Sequence, residues 1–403
     1  MIVTGHWHDC PLNISHKTTG LAISVVDGTR TDSYSYDAAG RLWSVYLDGI
    51  AYQRGLDGRV IGRWRKPGEQ RQRHWLNAEE STRIIHTAHQ FVTHLLRDID
   101  TGAVNLRGGL SEDMRHALQA AATFDVGQSQ ADARRCREVY QPVGILPPDQ
   151  YMALVLQMTE GCSFNTCTFC NFYKDRPFRI KSPEEFEAHA RAVRDFIGAG
   201  ISLRRSIFLG DANALVIPQP RLMPLLDIIP RVFDMDTMNG LFAFLDGFSG
   251  EKKTPADYAD LRKRHVRRVY IGLESGSADL LRVLNKPGTP DDALQAVQAM
   301  KAGGLAVGVI VLIGAGGQRY AADHVQQTID ILNAMRLTMD DLIYFSDLIT
   351  TDDMPYAQQA AELGELSPEQ RREQQAAIEA SLVFTADDGI PHMSRYDIRE
   401  FIY

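Results

Sequence analysis

Ala153-Leu154-Val155-Leu156-Gln157-Met158, an apolar run of strand length, leads through Thr159-Glu160-Gly161 into Cys162-Ser163-Phe164-Asn165-Thr166-Cys167-Thr168-Phe169-Cys170. From this point the pattern predicts strands that alternate with helices. After Ala153–Met158 the strand candidates are Leu203–Leu209, Gly240–Leu245, Val266–Leu273, Leu305–Ile313 and Asp341–Ser346. The helix starts between them are legible. Ser182-Pro183-Glu184-Glu185, Thr254-Pro255-Ala256-Asp257 and Thr289-Pro290-Asp291-Asp292 each place a hydroxyl cap, a proline at the first helical position and an acid at the third. The hydroxyl accepts a free backbone N–H, proline loses nothing there, and the acid favours the positive end of the helix. Strand-then-helix repetition needs crossover connections. It implies a parallel sheet covered by helices, either an open doubly wound sheet or a barrel, complete or not.

On the N-terminal side the period changes. Up to about residue 75, two-residue alternation is broken by turn residues such as Asp37-Ala38-Ala39-Gly40, Asp48-Gly49 and Asp57-Gly58, which predicts an antiparallel meander. Helices are expected over Ala78–Leu96 and Asp113–Ala122, and residues 124–145 show no period and read as a linker. Beyond Thr350 a linker precedes another capped helix at Ser367-Pro368-Glu369-Gln370, and the apolar end Phe401-Ile402-Tyr403 is expected to dock. The division expected is an accessory α+β domain at 1–145, a core at 146–350 and a C-terminal capping extension at 351–403.

Composition bounds the function. The 403 residues are 44% hydrophobic and 23% charged, enough to bury a large core. The balance of 43 basic against 51 acidic residues, a net charge of −8, argues against nucleic acid as the main partner. The basic stretch Arg63-Trp64-Arg65-Lys66 to Arg71-Gln72-Arg73-His74-Trp75 is read as the solvated end of a hairpin. No apolar run reaches the length of a spanning helix and the first residues lack a signal-peptide pattern, so neither a membrane nor secretion is expected, and the cytoplasm is.

Five cysteines do not make a disulfide framework when three of them fall within nine positions and the others, Cys10 and Cys136, lie far upstream. Soft thiolates on a short loop suit iron or zinc. No cysteine follows Cys170, so an iron–sulfur cluster bound here has three protein ligands and one open iron. Buried structural cysteines and a zinc site are the alternatives. For zinc, His189 lies inside a predicted helix with no further ligand at a zinc-like spacing. His6 and His8 beside Cys10 read as bystanders.

With these residues in view, the chain resembles the radical S-adenosylmethionine superfamily over about residues 150–350, and within it a group loosely related to oxygen-independent coproporphyrinogen oxidases. Members carry three cysteines in the loop after the first strand of a partial (β/α)6 barrel, with an aromatic residue before the last one, here Phe169. The first gap departs from the usual three residues by holding four, Ser163 to Thr166, which changes the loop without removing a ligand. The resemblance implies a [4Fe-4S] cluster on Cys162, Cys167 and Cys170, with S-adenosylmethionine on the open iron. It places Gly210 and Asp211 at the motif that holds the cofactor's amino group, although Asp211 replaces the residue usual there and a tight strand-to-helix turn explains the pair equally. Glu274 and Ser275, in Ile271-Gly272-Leu273-Glu274-Ser275-Gly276-Ser277, fall where ribose and methionine contacts occur, and Gly314 falls where adenine lies. A carboxylate suits ribose because it accepts from adjacent hydroxyls.

The function implied is reductive cleavage of S-adenosylmethionine to a 5′-deoxyadenosyl radical that takes hydrogen from a small-molecule substrate. The electron would come from an external one-electron donor of flavodoxin or ferredoxin type. An iron–sulfur electron-transfer or sensor protein is the alternative, followed by a hydrolase with structural zinc. With no cysteine-rich extension and no doubly wound sheet in residues 1–145, neither an auxiliary cluster nor a cobalamin module is expected. Tyr173, Lys174, Arg176, Arg179, Asp246, Tyr344, Ser346 and Asp347 are the side chains considered for facing substrate.

Overall fold

Two hydrophobic periods give the chain two kinds of sheet. The computed structural model describes residues 1–66, 68, 71–248 and 252–403. One unit comprises residues 1–142, 191–205 and 402–403, the other residues 143–190 and 206–401.

In the first unit, strands β1 (Ile2–Trp7), β2 (Cys10–Lys17), β3 (Gly20–Asp27), β4 (Arg30–Asp37), β5 (Leu42–Leu47), β6 (Ile50–Arg54), β7 (Val60–Trp64) and β8 (Gln72–Trp75) follow one another as a meander. After helix α1 (Ala78–Asp100), β9 (Asn105–Arg107) returns antiparallel to β1. Alternation is clean in β1, where Val3, Gly5 and Trp7 are buried and Ile2, Thr4 and His6 are exposed. Onto the buried face α1 brings Ile85, Val92 and Leu95, and α2 (Glu112–Thr123) brings Met114 and Leu118. The basic stretch forms a hairpin arm in which β7 pairs with β8. Residues 67, 69 and 70 of that stretch lie outside the described residues.

The expected linker at 124–145 is instead largely helix α3 (Val126–Val139). Its buried stripe is Ser129, Ala133 and Cys136, small or polar residues that give almost no hydrophobic period. What holds it is ionic. The buried Arg54 donates to Ser129 Oγ at 2.9 Å and to Asp132 Oδ2 at 3.1 Å, while Arg41 Nε donates to the other Asp132 oxygen at 2.7 Å.

The second unit is built on seven parallel strands in chain order: β10 (Leu154–Gln157), then, past the small antiparallel pair β11 (Thr159–Glu160) and β12 (Arg179–Ile180), β13 (Ile207–Gly210), β14 (Leu241–Phe244), β15 (Val266–Glu274), β16 (Ala306–Ile313), β17 (Leu342–Asp347) and β18 (His392–Tyr396). The crossovers are helices α4 (Pro183–Ile197, of which residues 191–197 count with the first unit), α5 (Gln219–Leu226), α6 (Ile229–Val232), α7 (Pro255–Lys263), α8 (Ala278–Val283), α9 (Pro290–Ala302) and α10 (Gly317–Ala334). This is the partial (β/α) barrel expected, with strands buried on both faces; β13 reads Ile207-Phe208-Leu209-Gly210 and is buried throughout. All four expected helix starts form reciprocal capping boxes, Ser182 with Glu185, Thr254 with Asp257, Thr289 with Asp292 and Ser367 with Gln370. Each such cap contributes about 1 kcal/mol.

The C-terminal extension is more regular than its sequence implies. The stretch after Thr350 holds α11 (Pro355–Leu363) before the expected α12 (Pro368–Ala380), and β18 adds a seventh strand beside β17. His392-Met393-Ser394-Arg395-Tyr396 has no apolar run because an edge strand is only half covered. Phe401, Ile402 and Tyr403 are buried, as the apolar terminus implies. Among the described residues no helix is long and apolar enough to cross a membrane.

Candidate functional site

Parallel strands bring all their C-terminal ends to one end of a sheet, and there the second unit has a cavity of about 210 Å3. Tyr270 is part of its lining. Tyr270 donates to Asp149 Oδ2 at 2.5 Å and Tyr344 to Oδ1 at 2.8 Å, so one carboxylate anchors two phenols inside the barrel. The cavity wall includes Cys162, Cys167, Cys170, Phe169, Glu274 and Lys286.

The cysteine loop is pinned at both ends by Asp211. One of its carboxylate oxygens accepts from the Gly161 N–H at 2.9 Å and from Arg176 Nε at 3.2 Å; the other accepts from Gln157 Nε2 at 2.6 Å. Thr159 Oγ accepts from the Asp211 N–H at 3.0 Å and donates to Gly210 O at 3.2 Å. Burial raises the Asp211 carboxyl above its ordinary range, against its hydrogen bonds and Arg176. Glycine is required at 161, where φ is +74° and a Cβ would lie 2.9 Å from the Pro177 carbonyl. The longer first gap is absorbed by Asn165, which takes φ +52° and donates from Nδ2 to Tyr173 O at 2.8 Å.

All five cysteines are free of disulfides. Burial pushes the Cys167 thiol up to about 12 and raises Cys170, so thiolates at these positions need a compensating cation. Among the described residues no three His, Cys, Asp or Glu side chains gather closely enough to hold one metal ion. The three thiols share a cavity wall, and soft thiolates on one short loop suit an iron–sulfur cluster. His189, the residue weighed for zinc, accepts the Gln157 N–H at 3.0 Å.

Glu274 ends β15 with φ +59°, and its Oε1 accepts from Lys286 Nζ at 2.9 Å. Burial opposes the lysine charge, but Glu274 and Cys167 outweigh it and hold the ammonium above its ordinary value. Further along the wall, Asp246 Oδ2 accepts from Asn213 Nδ2 at 2.5 Å, and Asp347 takes a bidentate pair from Arg395 at 2.9 and 2.5 Å.

The sequence candidates therefore separate. Phe169, Glu274 and the three cysteines line the cavity, as do Tyr173, Asp246, Ser346 and Asp347. Gly210, Asp211, Ser275 and Gly314 stand behind the wall. Gly314 donates its N–H to Gln374 of α12 at 2.8 Å, and Ser275 is fully buried against α10. Arg176 is committed to Asp211 and Asp175; Arg179 pairs with Glu160 and Glu185 outside the cavity; Lys174 Nζ bonds Asn165 O; and Tyr344 holds Asp149. Sequence reasoning missed Lys286, Asn213 and Tyr396. Lys286 is twelve positions past Glu274, and the short helix α8 between them brings it back.

The family model described as the radical SAM superfamily matches residues 156–331. That stretch of the chain thus matches a radical SAM domain. Among solved structures it is similar to coproporphyrinogen III oxidase of Escherichia coli, at 13% identity and a TM-score of 0.42, over 57% of this chain and 52% of that one. Methylornithine synthase aligns at 14% identity and a TM-score of 0.40, over 58% of this chain and 63% of that one. SuiB of Streptococcus suis, solved with S-adenosylmethionine, aligns at 11% identity and a TM-score of 0.42, over 87% and 72%. The chain thus spans less than two thirds of the length of the first two. No curated protein matches.

Proposed function

We propose that this chain is a radical SAM enzyme in which Cys162, Cys167 and Cys170 hold a [4Fe-4S] cluster and S-adenosylmethionine occupies the adjoining cavity. The observation that carries this reading is the convergence of three thiols and the Glu274–Lys286 pair on one cavity at the strand ends, with Cys10 and Cys136 absent from its lining among the described residues. Held by those cysteines, a [4Fe-4S] cluster would supply the one-electron reductive cleavage of S-adenosylmethionine that radical hydrogen abstraction from a small-molecule substrate needs.

The chain's own residues bind, orient and exclude water. Glu274 presents a carboxylate able to accept from two ribose hydroxyls, and Phe169 packs beside the last cysteine. Lys286 offsets the negative charge that three thiolates bring. Gly210, Asp211, Ser275 and Gly314 act from behind, by fixing the loops that the cofactor meets. The apolar surfaces of Phe248, Ile310, Leu312 and Leu348 keep solvent from a reactive radical. Residues 146–350 form the catalytic segment, with 1–145 accessory and 351–403 capping. The partners are a small-molecule substrate and an external flavodoxin- or ferredoxin-type donor, in the cytoplasm, where thiols stay reduced.

Anaerobic reconstitution with iron and sulfide, followed by reduction with S-adenosylmethionine, tests the reading. Wild type should release 5′-deoxyadenosine and methionine, and a Cys167→Ala control should release neither. An assembled cluster that leaves S-adenosylmethionine intact would favour the electron-transfer alternative. Glu274→Ala should weaken cofactor binding while iron content holds; equal loss of iron counts against its role.

A further inference from the structure

The residues after Glu274 turn away from the cavity onto α10, and the turn they make is strained. The Ser275 N–H bonds back to Leu273 O at 2.7 Å across Glu274, whose φ is +59°. This is a γ-turn centred on a left-handed, non-glycine residue, a rare conformation that persists only where its surroundings enforce it.

The enforcing contacts come from one face of α10. His324 and Thr328 stand four residues apart on it and both are fully buried. Thr328 Oγ accepts the Gly276 N–H at 2.9 Å, and His324 Nδ1 lies 2.8 Å from Ser275 Oγ. Ser275 Oγ also accepts from the Ser277 N–H at 3.0 Å, so the hydroxyl ties the turn and His324 together. Gly276 lies so close to α10 that a Cβ there would be 2.1 Å from the Gln327 carbonyl. Helix and turn are in backbone contact, and two buried side chains lock them.

We propose that His324 and Thr328 are positioning residues that hold Glu274 in its γ-turn, keep its carboxylate facing the cavity beside Lys286, and thereby set the affinity for the adenosyl cofactor. This deepens the radical SAM reading and rests on it. Released from the lock, the turn relaxes toward ordinary backbone and Glu274 swings off its binding direction. The cysteine loop is pinned separately by Asp211, so its metal site stays intact.

Equilibrium binding of S-adenosylmethionine to anaerobically reconstituted, unreduced protein reads this directly, with iron content measured on the same samples. Thr328→Val removes the hydroxyl at nearly constant shape and should weaken binding about ten-fold with iron unchanged, a change of about 1.4 kcal/mol. Thr328→Ser should restore it. His324→Leu should weaken binding at least as much, and His324→Asn, which keeps a hydrogen-bonding group near the Nδ1 position, should recover part. If Thr328→Val and Thr328→Ser both bind as wild type does, the proposal is overturned and the radical SAM reading stands. Iron loss in step with lost affinity also overturns it, since the lock would then be general scaffolding. Wild type that takes up a cluster but does not bind S-adenosylmethionine overturns the reading beneath. Should His324→Leu not fold, the threonine pair carries the test alone.

Discussion

The loop after β10 and the turn after β15 deliver chemistry to the same cavity, yet they are held by opposite means. Behind the cysteine loop stands Asp211, a buried carboxylate tied to Arg176 and to the Gly161 N–H. Behind the Glu274 turn stand His324 and Thr328, neutral groups in a fully buried helix face. On the proposed reading the loop carries the inorganic ligand, and one buried carboxylate pins it at both of its ends. A turn that must aim one carboxylate is pinned by short neutral bonds and backbone contact. Losing half of a buried ion pair leaves an uncompensated charge, whereas losing a neutral bond leaves only an unsatisfied dipole, so the two braces should fail with different severity.

The largest effect should come from Asp211→Asn. Arg176, with a side chain only 7% exposed, loses the buried carboxylate it pairs with at 3.2 Å, and the loss should be about 4 kcal/mol. Chemical denaturation reads the stability, and reduced iron uptake should accompany it; unchanged values for both would break the comparison on the cysteine side. Next comes Gly276→Ala, whose Cβ meets backbone rather than a movable side chain and should cost about 3 kcal/mol. A thermal midpoint equal to wild type would show that turn and helix are not in the contact described.

Acid sharpens the contrast further. Burial lowers His324 from 6.5 to about 4, so the unfolded chain binds a proton that the folded one refuses. The neutral brace is therefore unpenalised above pH 6.5, and stability falls as pH drops from there toward about 4. At pH 5 the loss from this group is roughly 2 kcal/mol. Asp211, held above its ordinary range, contributes with the opposite sign, so the signal is the difference between wild type and His324→Leu across pH 7 to 5. Parallel curves for the two proteins would contradict it. The smallest effect belongs to Arg179→Ala on the rim of the cysteine loop. That side chain is 44% exposed in its pairs with Glu160 and Glu185, and losing it should cost less than about 1 kcal/mol and leave cofactor cleavage unchanged.

What could be read beforehand followed the same physics. Strands buried on both faces must be apolar throughout, and six of the seven parallel strands were visible as such runs; β18, half covered at an edge, had no period to read. Helix caps are local chemistry, so Thr254, Thr289 and Ser182 were legible from four residues each. Helix α3 was not, because Arg54, over seventy positions away from Ser129, supplies what its apolar face lacks. At the site, the thiols were legible from spacing alone. Asp211 and Ser275 stood at the expected strand ends, but no local signal shows whether a side chain turns toward a cavity or toward the scaffold behind it. That direction is set by partners distant in sequence, Arg176 and Gln157 for one and His324 for the other. Lys286 was hidden for the same reason.

The central claim is that the three cysteines leave one iron open to S-adenosylmethionine. The most direct measurement is the electron paramagnetic resonance spectrum of the reduced, reconstituted protein with and without S-adenosylmethionine. The account predicts a [4Fe-4S]+ signal whose g-values shift when the cofactor is added, and a weaker shift in Glu274→Ala at the same cofactor concentration. Superimposable spectra from a fully loaded wild type would contradict it and leave an iron–sulfur protein that does not engage S-adenosylmethionine.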